Sequence, residues 1–151
     1  MQFTFAQESH LSVLQPLLES YYEIKDALVN SDASSAALEA KGFLQIMNGV
    51  DSKKLSAAEL GLYLPMNDEL LLGAKRIAET KDLKKQREQF SALSINLFRL
   101  IKGLKLNSSP TYYAYCPMKG KYWLSKEISI KNPYYGKSML TCGKVVETVV
   151  P

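Results

Sequence analysis

Apolar residues recur at three- and four-residue spacing along the first two thirds of the chain, and that period disappears beyond residue 106. Leu14, Leu17, Leu18, Tyr21, Ile24 and Leu28 form the stripe of a helix predicted over 11–29, with Glu19, Glu23, Lys25 and Asp26 largely on the other side. Pro16 suits a first turn, where its missing N–H costs nothing, and sets the firm start near Gln15. Asn30-Ser31-Asp32 breaks the pattern, and Ser31 or Asp32 can cap the next helix. That helix is predicted to run to Met47, with Ala33, Ala36, Ala37, Ala40, Leu44 and Met47 on one face. Gly49 then reads as a left-handed terminator.

Ser56 and Glu59 have the spacing of a capping box, so a short helix is expected there, ended by Pro65. Asn67 or Asp68 is expected to cap a third helix to Thr80, with Leu70, Leu71, Ala74, Ile77 and Ala78 apolar. Residues 81–85 read as a turn or a charged continuation. The last helix has the clearest stripe: Phe90, Leu93, Ser94, Leu97, Leu100, Ile101 and Leu104. Gly103 costs about 1 kcal/mol relative to alanine and predicts a frayed end.

Asn107-Ser108-Ser109-Pro110 is a breaker cluster. Beyond it, residues 111–116, 122–124 and 145–150 are β-prone, separated by Gly120, Asn132-Pro133, Gly136 and Gly143. Trp123 reads as the anchor between this tail and the helices. The expected fold is mainly α, an antiparallel bundle of about four helices (about 11–106) with a small irregular β-containing C-terminal appendage (about 107–151). The whole of 1–151 reads as a single domain, a natural length for one.

Composition changes this picture little, and charge changes it more. A hydrophobic fraction of 46% and a charged fraction of 23% are ordinary for a globular chain. No stretch approaches the ~20 apolar residues of a membrane helix, and the start, Met-Gln-Phe-Thr-Phe-Ala-Gln, is no intact secretory signal. Residues 1–106 hold 13 basic and 13 acidic side chains, so the net charge of +4 comes from six lysines against Glu127 and Glu147 in the tail. That asymmetry reads first as a solvated rim and second as a surface for an anionic partner. No P-loop, Gly-x-Ser-x-Gly or Gly-x-Gly-x-x-Gly is present, and neither cysteine has a histidine placed beside it, so no enzymatic role is expected. Nucleic-acid binding is not expected either, although lysines do alternate with tyrosines in the tail.

Candidate chemistry lies in Cys116-Pro117-Met118 and Met139-Leu140-Thr141-Cys142-Gly143, which hold both cysteines and two of the five methionines. Thiolate and thioether sulfurs are soft donors that select soft ions such as Cu(I). Coordination requires deprotonated thiols, which the nearby lysines are expected to favour. The pattern is not a zinc signature: it has no Cys-x-x-Cys, and His10, far away along the chain, reads as a surface residue. The competing reading is a disulfide closing the 26-position separation, worth about 3.5 kcal/mol in the chain-entropy picture, or two inert buried thiols. On these residues alone, both outcomes stay open.

Tyr115-Cys-Pro-Met118, Trp123-Leu-Ser125, Ile130-Lys-Asn-Pro-Tyr-Tyr-Gly136 and Met139-Leu-Thr-Cys-Gly143 resemble the signature of a bacterial uncharacterised family, domain of unknown function 3347. The segments 22–32 and 86–94 resemble it too, so the likeness runs over about 15–148. The resemblance implies a protein of the periplasm or cell envelope. Similar cysteine- and methionine-bearing tails occur in periplasmic adaptors of copper and silver efflux systems. By that likeness Cys116, Met118, Met139 and Cys142 are ligands for Cu(I) or Ag(I), and an efflux or copper-handling protein is a partner. One departure is Tyr115, where such tails often carry histidine, so no nitrogen ligand is expected. The alternative is a non-enzymatic structural or protein-interaction module stapled by a disulfide. Oligomeric state is not fixed by either reading.

Overall fold

The computed structural model describes residues 12–151. His10 and Leu11 lie outside the described residues. Four helices come first: α1 Pro16–Val29, α2 Ala33–Asn48, α3 Ala57–Ala78 and α4 Leu83–Leu104. Three strands follow, β1 Thr111–Cys116, β2 Lys121–Ser125 and β3 Lys144–Val149. The expected mainly α bundle with a β appendage is what the chain forms.

The helix starts follow from local chemistry. Pro16 occupies the first position of α1. The Asp32 carboxylate accepts from the Ser35 N–H at 3.0 Å and caps α2. Ser56 and Glu59 close a reciprocal capping box on α3. Asp82 accepts from the Lys84 and Lys85 N–H groups and caps α4. Each cap gives an acceptor to donors that have no partner within the helix.

Four expectations are corrected. Pro65 does not end a helix, because α3 runs through it, and the two expected helices are one. Gly61 and Pro65 are both exposed, a setting in which solvent can serve the Gly61 carbonyl that loses its N–H partner. Gly49 follows α2 at φ −88°, so α2 ends without a left-handed residue. The end of α4 is not frayed at Gly103. A Cβ there would stand 2.5 Å from Leu62 Cδ1, so the glycine permits a close approach of α4 to α3, and Lys105 supplies the left-handed cap at φ 54°. Lys25 does not lie on the wet side of α1. It is 1% exposed, with its ammonium 2.9 Å from Asp26, so its stem lies in the core and its charge stays paired.

One apolar cluster joins the helical stripes to the strands: Leu17, Tyr21, Ile24, Phe43, Ile77, Phe90, Leu93 and Leu97 are continuous with Trp123, Leu124 and Tyr134. The sheet order is β2-β1-β3, all antiparallel. A bulge between Tyr113 and Ala114 displaces the β1–β3 register, so Glu147 faces Tyr113 while Val145 faces Ala114. By register, Ala114, Cys116 and Trp123 share one face, and Tyr113, Tyr115, Tyr122 and Leu124 share the other. Phe98 of α4 stacks on Tyr113 at 3.7 Å between ring centroids, and Tyr113 stacks on Tyr122 at 4.8 Å. The Tyr21 hydroxyl accepts from the Leu124 N–H at 2.9 Å and bonds Ser94 at 2.7 Å, tying α1, α4 and β2 together. Asn107 is buried at the junction, and its amide donates to the Val149 and Ser109 carbonyls. No helix among the described residues is long and apolar enough to cross a membrane.

Candidate functional site

The two cysteines meet because of strand register. Tyr115 of β1 faces Lys144 of β3, so the residues just before Lys144 lie beside those just after Tyr115. Cys116 ends β1, and Cys142 sits two residues before β3. The Cys142 thiol lies beside Cys116 and the Met118 backbone N–H, near enough for both to shift its proton affinity. Both cysteines are free thiols, Cys116 buried and Cys142 half-buried. The site therefore joins an anchored sulfur at the end of a strand to a more accessible one on a loop.

Three local features hold that loop. Gly143 follows Cys142 at φ 145°, a conformation side-chain-bearing residues rarely adopt. A Cβ there would stand 2.8 Å from Trp123 Cη2 and 3.0 Å from the Tyr115 carbonyl, so only glycine lets the chain pass between ring and strand. The Met139 carbonyl accepts from the Cys142 N–H at 3.1 Å, forming the turn that returns the chain to the sheet. Asn132, fully buried, acts as a clip. Its amide donates to the Cys142 carbonyl at 2.7 Å, its side-chain oxygen accepts from the Tyr134 N–H at 2.8 Å, and its N–H donates to Leu140 O at 2.7 Å.

Asn132 in turn rests on the bundle. Arg87 of α4 donates through Nε to the Pro133 carbonyl at 2.7 Å, and through Nη2 to Leu28 O at 2.9 Å and Ser31 Oγ at 3.0 Å. The Tyr134 ring lies 6.0 Å from Phe90 and 6.2 Å, edge-on, from Trp123, and its hydroxyl donates to the Tyr122 carbonyl. Trp123, expected as the anchor to the helices, is buried in the apolar cluster they share, with Tyr134 and Gly143 of the tail beside it. Asn132-Pro133 was legible only as a turn, and the parts played by Asn132, Arg87 and Tyr134 were not visible in any motif. A buried asparagine between two cysteine-bearing segments is the signal that could have indicated the clip.

Of the four sulfur residues, the structure brings the two cysteines side by side and sets the backbones of both methionines against Cys142. Met118 contributes its N–H to Cys142, and Met139 its carbonyl. Their side chains are 66% and 40% exposed, unlike methionines that fill a core. The Cys142 pKa is raised. Loss of solvation is the largest cause, followed by the hydrogen bond to Cys116 and its charge, while the Met118 N–H opposes them. No lysine is among these causes, so the expected help from nearby lysines is not what sets this thiol. Among the described residues no group of three or more His, Cys, Asp or Glu is placed to hold a metal. Two adjacent cysteine sulfurs are short of the four ligands of a structural zinc site.

The chain belongs to a family described as a protein of unknown function (DUF3347), whose model matches residues 17–109. The match covers the four helices and ends before the cysteines, so it extends over less of the chain than the expected 15–148 and carries no finding about the tail. No curated protein and no solved structure matches this chain.

Proposed function

We propose that the protein binds Cu(I) or Ag(I) through Cys116 and Cys142, with Met118 and Met139 as exposed thioether donors, as a non-enzymatic carrier or sensor of the cell envelope serving an efflux or resistance system. The observation that carries the reading is the adjacency of two free thiols, with Met118 and Met139 exposed in the turns next to them in sequence. The chemistry is reversible: the ion displaces the thiol protons, takes the two sulfurs in a near-linear arrangement and can pass to another pair of soft donors by ligand exchange. The bundle is the rigid mount, coupled to the site through Arg87 and Asn132. Envelope location and the efflux partner rest on the likeness of the tail to adaptor segments.

The test is an anaerobic titration of the reduced protein with Cu(I) against a competing chelator, beside the Cys116→Ser/Cys142→Ser double variant. One tight equivalent, lost in the variant, is expected. Because the Cys142 pKa is raised, binding displaces a proton below that pKa, and affinity should rise by about tenfold per pH unit for each proton displaced. Binding no stronger than that of the double variant sinks the reading. The same adjacency of thiols favours a second one, a disulfide-stapled interaction module. A thiol count on freshly isolated protein separates them: two titratable thiols that silver protects, against none before reduction.

A further inference from the structure

A cleft of about 440 Å³ lies between the start of α4, the β1–β2 hairpin and the loop after Asn132. Lys84 and Arg87 of α4, Lys119 of the hairpin turn and Lys121 of β2 all line it, with Tyr135 and Ser138 from the loop. Glu88 is the one carboxylate on its wall. Lys84, Lys119 and Lys121 form no ion pair among the described residues. The Lys119 ammonium instead sits 5.0 Å from the centre of the Tyr135 ring, which holds it over the cleft. Arg87 is fixed by the carbonyls of Pro133 and Leu28, so its guanidinium is a cation whose position needs no reorganisation on binding.

Four cations against one carboxylate around a concavity repel each other, and a cleft lined by one sign of charge concentrates counter-ions. The N-terminus of α4 is not what would hold an anion, because the Asp82 carboxylate already occupies the Lys84 and Lys85 N–H groups. The side chains are. A planar guanidinium, three ammonium groups and a hydroxyl are donors only, or donors first, and match a tetrahedral oxyanion of high charge density. The volume falls in the range of small-molecule sites and is too small for a folded partner to enter. We propose that this cleft binds a small phosphorylated ligand, a phosphomonoester or diphosphate, through Lys84, Arg87, Lys119 and Lys121. The proposal needs no metal and stands apart from the copper reading, although Lys119 and Cys116 share one hairpin and occupancy of either site can be felt at the other.

The experiment is a titration of reduced, metal-free full-length chain with inorganic pyrophosphate at low ionic strength, followed by amide NMR shifts. Saturable changes are expected at Lys84, Lys121 and Ser138. Lys119→Ala/Lys121→Ala should weaken binding about tenfold or more, because two charge-assisted contacts are lost. Lys53→Ala/Lys54→Ala removes the same charge from the exposed turn before α3 and should leave affinity within about twofold. Equal weakening by both variants overturns the proposal, since binding would then follow net charge alone. No saturation by roughly 10 mM also overturns it, given how weak such affinity would be. So does saturable binding of an acidic peptide at the same residues in place of pyrophosphate, which would assign the cleft to a protein partner.

Discussion

The bundle and the loop that carries Cys142 satisfy their backbones in opposite ways. In α1 to α4 the peptide groups bond within each helix, apart from the Gly61 carbonyl opposite Pro65, and the starts of α2, α3 and α4 are helped by Asp32, Ser56, Glu59 and Asp82. Residues 126–143 have no ladder, only short turns with a few isolated backbone bonds, so several of their polar groups depend on single side chains. Asn132 serves the Tyr134 N–H and the Cys142 carbonyl, Arg87 the Pro133 carbonyl, and Ser125 the Glu127 N–H. A helix shares its stability over many equivalent bonds, whereas this loop concentrates it in a few, so the candidate site rests on the less redundant half of the molecule.

Removing the apolar joint between the halves should have the largest effect. Trp123 is 1% exposed, packs against Tyr134 and stands directly beside Gly143. Trp123→Ala is expected to cost about 3–5 kcal/mol in urea unfolding, as aromatic truncations in cores do. The helices should keep their far-ultraviolet signal to higher urea than the near-ultraviolet signal of the tail. A loss under about 1 kcal/mol, the scale of an ordinary substitution, would mean that the tail does not depend on this ring.

Asn132→Ala sharpens the comparison at one polar residue. It removes two hydrogen bonds in a fully buried setting and strands a donor and an acceptor, for about 1–3 kcal/mol. The more telling readout is local. Alkylation of Cys142 should accelerate as residues 139–143 loosen, while Cys116, held in β1, should stay slow. An unchanged Cys142 rate would show that strand register and Gly143 alone set the site, and that the clip is incidental.

This same division decided what could be read from the sequence. The stripes of α1, α2 and α4 and the caps at Asp32 and Ser56 were legible because helical order is periodic and local, whereas the cap expected at Asn67 or Asp68 lies inside α3 and the cap at Asp82 was not read. The reading failed at Pro65, where exposure of Gly61 decided the outcome, and at Lys25, where a paired charge entered the core. The thiols could be nominated by residue type, but their adjacency depends on Tyr115 facing Lys144 across 29 residues of chain, which no local pattern encodes. The basic cleft was hidden for the same reason: Lys84 and Arg87 come from the bundle, Lys119 and Lys121 from the hairpin, and in sequence they are merely surface charges.

The smallest expected effect concerns the closer of the two ion pairs between the halves, Lys102–Glu147 at 2.7 Å against Lys126–Glu19 at 4.0 Å. Lys102 of α4 stands 2.7 Å from Glu147 of β3, with side chains 55% and 39% exposed. A geometric count would credit it with holding the sheet to the bundle. Its solvent exposure argues for a coupling of only about 0–1 kcal/mol in a Lys102→Ala/Glu147→Gln double-mutant cycle. Lys102→Ala alone should cost more than the coupling, because its ammonium also lies 5.6 Å from the Phe98 ring, which stacks on Tyr113. Raising salt to about 1 M, where the screening length falls to ~3 Å, should remove the coupling and leave the Trp123 contribution intact. A coupling well above 1 kcal/mol, or a tail released by salt, would reverse the assignment: the sheet would then be held by charge, and the apolar joint at Trp123 would be secondary.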